Sequence, residues 1–176
     1  MYVVSQIFVI ISSLVIGSTY FVKDKTKILY LCLIYCIFYG LHYLLLGAIT
    51  GFLMTGISFI RNLIFYFNSK NNRSNNIFIL IILIEISLIS GISGYQDIFS
   101  IASISASLMS TYSIWQDNVK VYRLLSLPVS FCFVIYALHF NSIMAIISEG
   151  IIIVMEVIGI IDLYKNKKIE NPISLA

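Results

Sequence analysis

Charge is what this sequence has least of. Only 11% of its 176 residues are Asp, Glu, Lys or Arg, and 60% are hydrophobic, against roughly a quarter charged in an ordinary soluble domain. That scarcity excludes water as the main solvent and assigns the chain to a bilayer. Because a spanning helix uses about 20 apolar residues, the chain has room for seven or eight spans, short connections and no folded extramembrane domain. Cysteine is rare and odd in number: Cys32, Cys36 and Cys132 all fall inside apolar runs, which excludes a disulfide framework and fits small buried hydrophobes. Cys32 and Cys36 share a helix face, but zinc needs further nitrogen or sulfur ligands that the pattern does not supply, so no metal site is expected. Proline is nearly absent; Pro128 lies within an apolar run, where it removes a backbone hydrogen bond and offers a hinge. The start, Met1-Tyr2-Val3-Val4-Ser5-Gln6, lacks a basic region and a cleavage pattern, so the first span is expected to remain in place. A glycine-rich phosphate loop, HExxH, CxxC and a soluble-hydrolase triad are all missing, and the expectation is of a protein that is not an enzyme and carries no cofactor.

What is present is a regular series of apolar runs. Their punctuation predicts an all-α polytopic membrane protein of seven transmembrane helices, with spans near 2–22, 28–47, 49–68, 76–94, 98–115, 121–140 and 142–164. Tight turns are expected at Gly47-Ala48-Ile49-Thr50-Gly51, at Ser93-Gly94-Tyr95-Gln96-Asp97 and at Asn141-Ser142. Basic residues occupy every alternate connection: Lys23, Lys25 and Lys27; Lys70 and Arg73; Lys120 and Arg123; Lys165, Lys167 and Lys168. The other connections carry no Lys or Arg, so the positive-inside rule predicts an N-terminus outside and a C-terminus in the cytoplasm. The net charge of +3 thus reads as topology, and no nucleic-acid partner is expected. Trp115, Tyr164, Tyr20 and Tyr112 lie near the basic span ends, as an aromatic belt would place them.

An odd number of spans becomes informative if they divide as three, one and three, because a single linking helix leaves both triplets in the same orientation. The predicted organisation is a first three-helix repeat over 1–68, a loop and linking helix over 69–97, a second repeat over 98–164 and a cytoplasmic tail over 165–176. An offset of 94 places Gly47-Ala48 on Asn141-Ser142, Gly56 on Gly150, His42 on Tyr136 and Asn62 on Glu156. Parallel repeats of this kind are one of the recurring plans of secondary transporters.

Arg61, Glu85, Glu149 and Glu156 lie within apolar runs, where each costs about 2.5–3.5 kcal/mol on insertion scales, so lipid-facing positions are not expected for them. On the third span Gly51, Thr55, Ser58 and Asn62 line one helical face, and Ala145, Glu149, Ile152 and Glu156 form the equivalent face of the seventh. Asn62 and Glu156 would face each other near mid-membrane, with His42 and Tyr136 contacting a solute and Glu149 further out. A carboxylate there can carry a coupling proton or neutralise a cationic group. The alternative is that the same groups only satisfy one another, Glu156 with Arg61 or Asn62 and His42 with a carbonyl, while Arg61 reaches toward headgroups. Glu85, on the linking span, reads as a structural hydrogen-bonding group, and the serine-rich face Ser100, Ser103, Ser107 and Ser110 reads as close helix packing.

Gln6, Ser18-Thr19-Tyr20-Phe21, His42, Leu45, Gly47, Gly51, Arg61-Asn62, Trp115, Arg123, Tyr136, Asn141-Ser142 and Glu149-Gly150 together resemble the bacterial YgjV family of small inner-membrane proteins, over nearly the whole chain. The 3+1+3 plan is in turn similar to that of the SWEET sugar carriers and PnuC vitamin transporters, where an asparagine on the third helix of each triplet lines the solute site. Asn62 matches that role, whereas Glu156 stands at the second position and the Pro-Gln pair of the SWEET group is missing. The resemblance and the polar pattern imply a bacterial inner-membrane transporter of a small polar or cationic solute, as monomer or homodimer. The alternative is a non-transporting accessory or immunity-type membrane protein.

Overall fold

The computed structural model describes residues 1–116 and 118–170, with side chains through Asp162. Seven α-helices account for nearly all of it: α1 Tyr2–Ser18, continued by a 3-10 turn over Thr19–Phe21, α2 Lys25–Leu46, α3 Ile49–Lys70, α4 Ile77–Ser93, α5 Ser100–Trp115, α6 Val119–His139 and α7 Ile143–Glu170. No strand occurs among the described residues. Five helices are long and apolar enough to cross a membrane, over 2–21, 25–46, 49–70, 119–139 and 143–162. Helices α4 and α5, with 17 and 16 residues, fall short of the spans expected at 76–94 and 98–115, rising roughly 25 Å each. Helix α5 begins two residues later than expected, the Asp97 carboxylate accepting from Phe99 N–H at 2.9 Å and Ser100 N–H at 3.2 Å, and its serines leave it less apolar than α4. At the other extreme α7 runs on to Glu170, past the expected end at 164. The rest of the expected tail, 171–176, and the side chain of Tyr164 lie outside the described residues.

Helix starts are set locally. Asp24, Asn76 and Asn118 each accept a hydrogen bond from the backbone N–H two residues on, at 2.8–2.9 Å, as N-cap side chains do. Two hairpins end their first helix in the same way. Gly47 takes the left-handed conformation (φ 72°), with Gly47 N–H bonded to Leu44 O at 3.2 Å and Ala48 N–H to Tyr43 O at 3.0 Å, the paired bonds of a Schellman cap. Asn141 (φ 49°) repeats it with Asn141 N–H to Leu138 O at 3.2 Å and Ser142 N–H to Ala137 O at 3.1 Å. Pro128 lies inside α6, which stays helical throughout.

Neighbouring helices close a ring in the order α1, α2, α3, α5, α6, α7 and back to α1, and α4 packs on α3 and α5. Close approach there is made by Gly91, where a Cβ would lie 2.7 Å from Ile104 Cγ1. Only Leu80, Leu83, Ser87 and Gly91 of α4 are buried. Glu85, at the centre of α4, is exposed and has no side-chain hydrogen bond or ion pair among the described residues. This corrects the expectation that such groups avoid outward positions, and the reason is that α4 stands outside the ring and presents most of its surface outward. Outward faces elsewhere carry apolar side chains such as Ile10, Ile37, Ile60, Phe131 and Val154, as a lipid-facing surface requires.

The connections sort into two ends. Tyr2 O–H donates to Asn141 O at 3.0 Å, Ile49 N–H to Gln96 Oε1 at 3.1 Å, and Thr50 Oγ1–H to Gly94 O, so the N-terminus and the three non-basic turns meet. At the opposite end Lys25 Nζ donates to Gln116 O at 3.2 Å, Thr26 bonds Ser69 at 2.7 Å, and Asn75 Nδ2 donates to Trp115 O at 3.0 Å. Each end has its own core: Val9, Tyr39, Tyr43, Ala48, Tyr136, Ala137 and Ala145 at the first, and Leu29, Phe65, Leu83 and Ile114 at the second.

Candidate functional site

Between the two cores the ring encloses a cavity with an empty volume of about 630 Å³, counting the part open to the outside. All six ring helices line it and α4 does not: Ile16 from α1, Cys32 and Cys36 from α2, Ser58, Arg61 and Asn62 from α3, Ser110 from α5, Ser126 and Ser130 from α6, and Glu149 and Glu156 from α7. Helical spacing explains the gathering. Ser58 and Asn62, and Glu149 and Glu156, stand four and seven residues apart, each pair on one face.

Glu156 is fully buried. Its Oε1 accepts from Tyr20 O–H at 2.6 Å and Ser130 Oγ–H at 2.9 Å, and its Oε2 is buried without a partner. Tyr20 therefore points into the ring and does not join an aromatic belt. Its backbone is pinned by Arg123, which is 2% exposed and donates from Nη2 to Tyr20 O at 3.0 Å and from Nη1 to Gly159 O at 2.8 Å. Glu149 Oε1 accepts from Tyr39 O–H at 2.9 Å.

On the far wall Arg61 is buried, so it does not reach toward headgroups. Its Nε and Nη2 donate to Asn62 Oδ1 at 3.2 and 3.1 Å, and its Nη1 to Ser110 Oγ at 2.8 Å and Thr111 Oγ1 at 2.9 Å. Asn62 Nδ2 turns to Cys36 Sγ at 3.5 Å. Asn62 and Glu156 thus share the cavity without a hydrogen bond between them; at the non-basic end His139 Nε2 lies 2.5 Å from Asp97 Oδ2. Among the described residues no cluster of three or more His, Cys, Asp or Glu side chains could hold a metal ion.

His42 and Tyr136 lie elsewhere, in the aromatic core at the non-basic end. His42 Nδ1 bonds Ser5 O at 2.8 Å and its Nε2 approaches Ser142 Oγ at 3.4 Å; because a carbonyl only accepts, Nδ1 carries the proton. Gln6 Oε1 accepts from Met144 N–H at 3.1 Å, joining α1 to α7 beside it. Tyr136 stacks edge-on to Tyr43 at 5.5 Å and receives Gly51 N–H at 3.0 Å. Thr55 donates back to Gly51 O at 2.7 Å and faces a smaller space of about 260 Å³ shared with Ser58, Tyr35 and Phe133.

Tyr20, Tyr39, Ser130 and Arg123 were not among the candidates. Arg123 reads as one of a basic loop pair, and the signal that separates it is Asn118, a capping residue that starts α6 early enough to put Arg123 a turn inside. Comparison with curated proteins gives no match, and no solved structure matches. A family model described as a bacterial inner membrane protein matches residues 3–167. With nearly the whole length matched, and with its apolar outward faces and five membrane-length helices, the chain belongs to the YgjV family of bacterial inner membrane proteins.

Proposed function

We propose that this protein is a small-solute transporter of the inner membrane, with its solute held in the six-helix cavity and its N-terminus outside. The observation that carries the reading is the cavity itself: two carboxylates, a guanidinium and an amide converge there from α3 and α7, and the helix outside the ring contributes nothing. Polar groups this costly are kept inside bilayers where they serve a pathway. The helix neighbours support a 3+1+3 plan, since α1·α2, α2·α3 and α3·α5 map onto α5·α6, α6·α7 and α7·α1. The matched caps at Gly47 and Asn141, 94 residues apart, point the same way. A second space of about 270 Å³ near Lys25 shares Ser113, Ile114 and Tyr122 with the cavity, which supports solute approach from the basic, cytoplasmic end, the other end being closed by His42, Gln6 and Tyr136. Rocking of one triplet on the other, with Glu156 carrying a coupling proton, completes the proposal. Glu156→Gln is expected to abolish solute binding or its pH dependence in a protein that still folds and inserts; unchanged binding and pH response would remove Glu156 from the site.

The internal hydrogen bonds of Glu149, Glu156 and Arg61 favour a second reading, a non-transporting accessory protein whose polar groups hold the bundle together. In that case Glu156→Gln lowers thermal stability in detergent and changes nothing else.

A further inference from the structure

The proposed solute site has a guanidinium on one wall and carboxyl groups on the other, and that separation narrows the class of solute. Arg61 on α3 is held by neutral acceptors, Asn62 Oδ1, Ser110 Oγ, Thr111 Oγ1 and, at 3.4 Å, Ser107 O. No carboxylate lies within ion-pair distance of it among the described side chains. A guanidinium stays protonated in proteins, so this wall keeps a positive charge that is hydrogen-bonded but not neutralised. Helix α7 stands across the ring from α3, three neighbours away in either direction. From it Glu149 and Glu156 both reach the cavity; Glu149 accepts from Tyr39, and Glu156 presents Oε2, buried and without a partner, while its Oε1 is occupied by Tyr20 and Ser130.

Opposite charges left apart in a low-dielectric space attract strongly any ligand that answers both. A purely cationic solute would pair with Glu156 and leave Arg61 facing a like charge; a purely anionic one would do the reverse. A neutral sugar would neutralise neither. We infer that the solute is a small zwitterion of amino-acid type, its anionic group held by Arg61 and its cationic group by Glu156. The inference rests on the reading of the cavity as a solute site.

The test is calorimetric titration of the purified protein in lipid nanodiscs with a panel of common amino acids, their methyl esters and their N-acetyl derivatives. The esters keep only the cation and the acetyl derivatives only the anion. At least one free amino acid is expected to bind, with both of its derivatives weaker by about tenfold or more, as the loss of one buried charge partner implies. Arg61→Gln is expected to bring the ester level with its parent, and Glu156→Gln to do the same for the acetyl derivative. Arg61→Lys, which keeps the charge if the glutamine variant fails to fold, is expected to retain the preference for the free amino acid. Esters that bind the unaltered protein as well as their parents overturn the zwitterion and leave the solute site standing. Failure of all three classes to bind overturns the zwitterion, and the solute site falls with it only if cysteines placed at Asn62, Glu149 and Glu156 are also protected from a membrane-impermeant thiol reagent on both sides.

Discussion

Individual side chains decide whether the cavity holds its shape. Glu156 is oriented by Tyr20 and Ser130, and Tyr20 by Arg123. Tyr20→Phe removes one buried hydrogen bond to the carboxylate and is expected to cost about 1–3 kcal/mol, read as a fall in the thermal midpoint of the detergent-solubilised protein. An unchanged midpoint would mean that Tyr20 does not hold Glu156. Gly51 sets a second constraint, because a Cβ there would lie 2.8 Å from the Tyr136 ring and 2.9 Å from the Tyr43 ring. Gly51→Ala is expected to destabilise by about 1–3 kcal/mol through overpacking, checked by the same unfolding measurement. The groups legible in the sequence were those expensive to bury: Arg61, Asn62, Glu149 and Glu156 announce themselves because an ionisable or amide group inside an apolar run needs a reason. Tyr20, Tyr39 and Ser130 were not legible. Tyrosine and serine are cheap in a membrane helix, and only the fold reveals that these three aim at carboxylates.

Among the helices, the hairpins were the most legible elements and α4 the least. Gly47 and Asn141 are residue types that tolerate the left-handed conformation, and both turns form where the sequence breaks. If the two hairpins are repeats, Gly47→Asn should be better tolerated than Gly47→Ala, which is expected to cost about 1–2 kcal/mol for forcing alanine into the left-handed region. Equal stability of the two variants in thermal unfolding would contradict the shared cap. Apart from Glu85 and its serines helix α4 is apolar on every side, so its pattern does not say which face is buried, and its place outside the ring follows only from the packing of Gly91 against Ile104 of α5. There Glu85 faces outward. Glu85→Leu is therefore expected to leave thermal stability unchanged or raised, since it removes an insertion cost of about 2.5–3.5 kcal/mol and breaks no bond among the described residues. A clear fall in the midpoint would show that Glu85 has a partner beyond this chain.

At the scale of the whole molecule, alternation of basic and non-basic connections was enough to foresee which loops share an end, because each tight turn reverses the chain and the helices must then run up and down. What alternation cannot carry is which helices touch. The six-helix ring and the cavity within it emerge from the α1·α7 and α3·α5 contacts, which join residues far apart in the chain. Likewise the shift of His42 and Tyr136 into a closing core was hidden, since a histidine and a tyrosine on the same helix faces as the cavity residues look alike until the helix ends are packed. The central claim is that this cavity is a water-filled solute site. The most direct measurement is labelling of single cysteines placed at Asn62, Glu149 and Glu156 with a membrane-impermeant thiol reagent, in a background where Cys32, Cys36 and Cys132 are replaced by serine. Labelling from the cytoplasmic side at all three positions is the predicted result; complete protection from both sides, in a protein that still inserts, would contradict it.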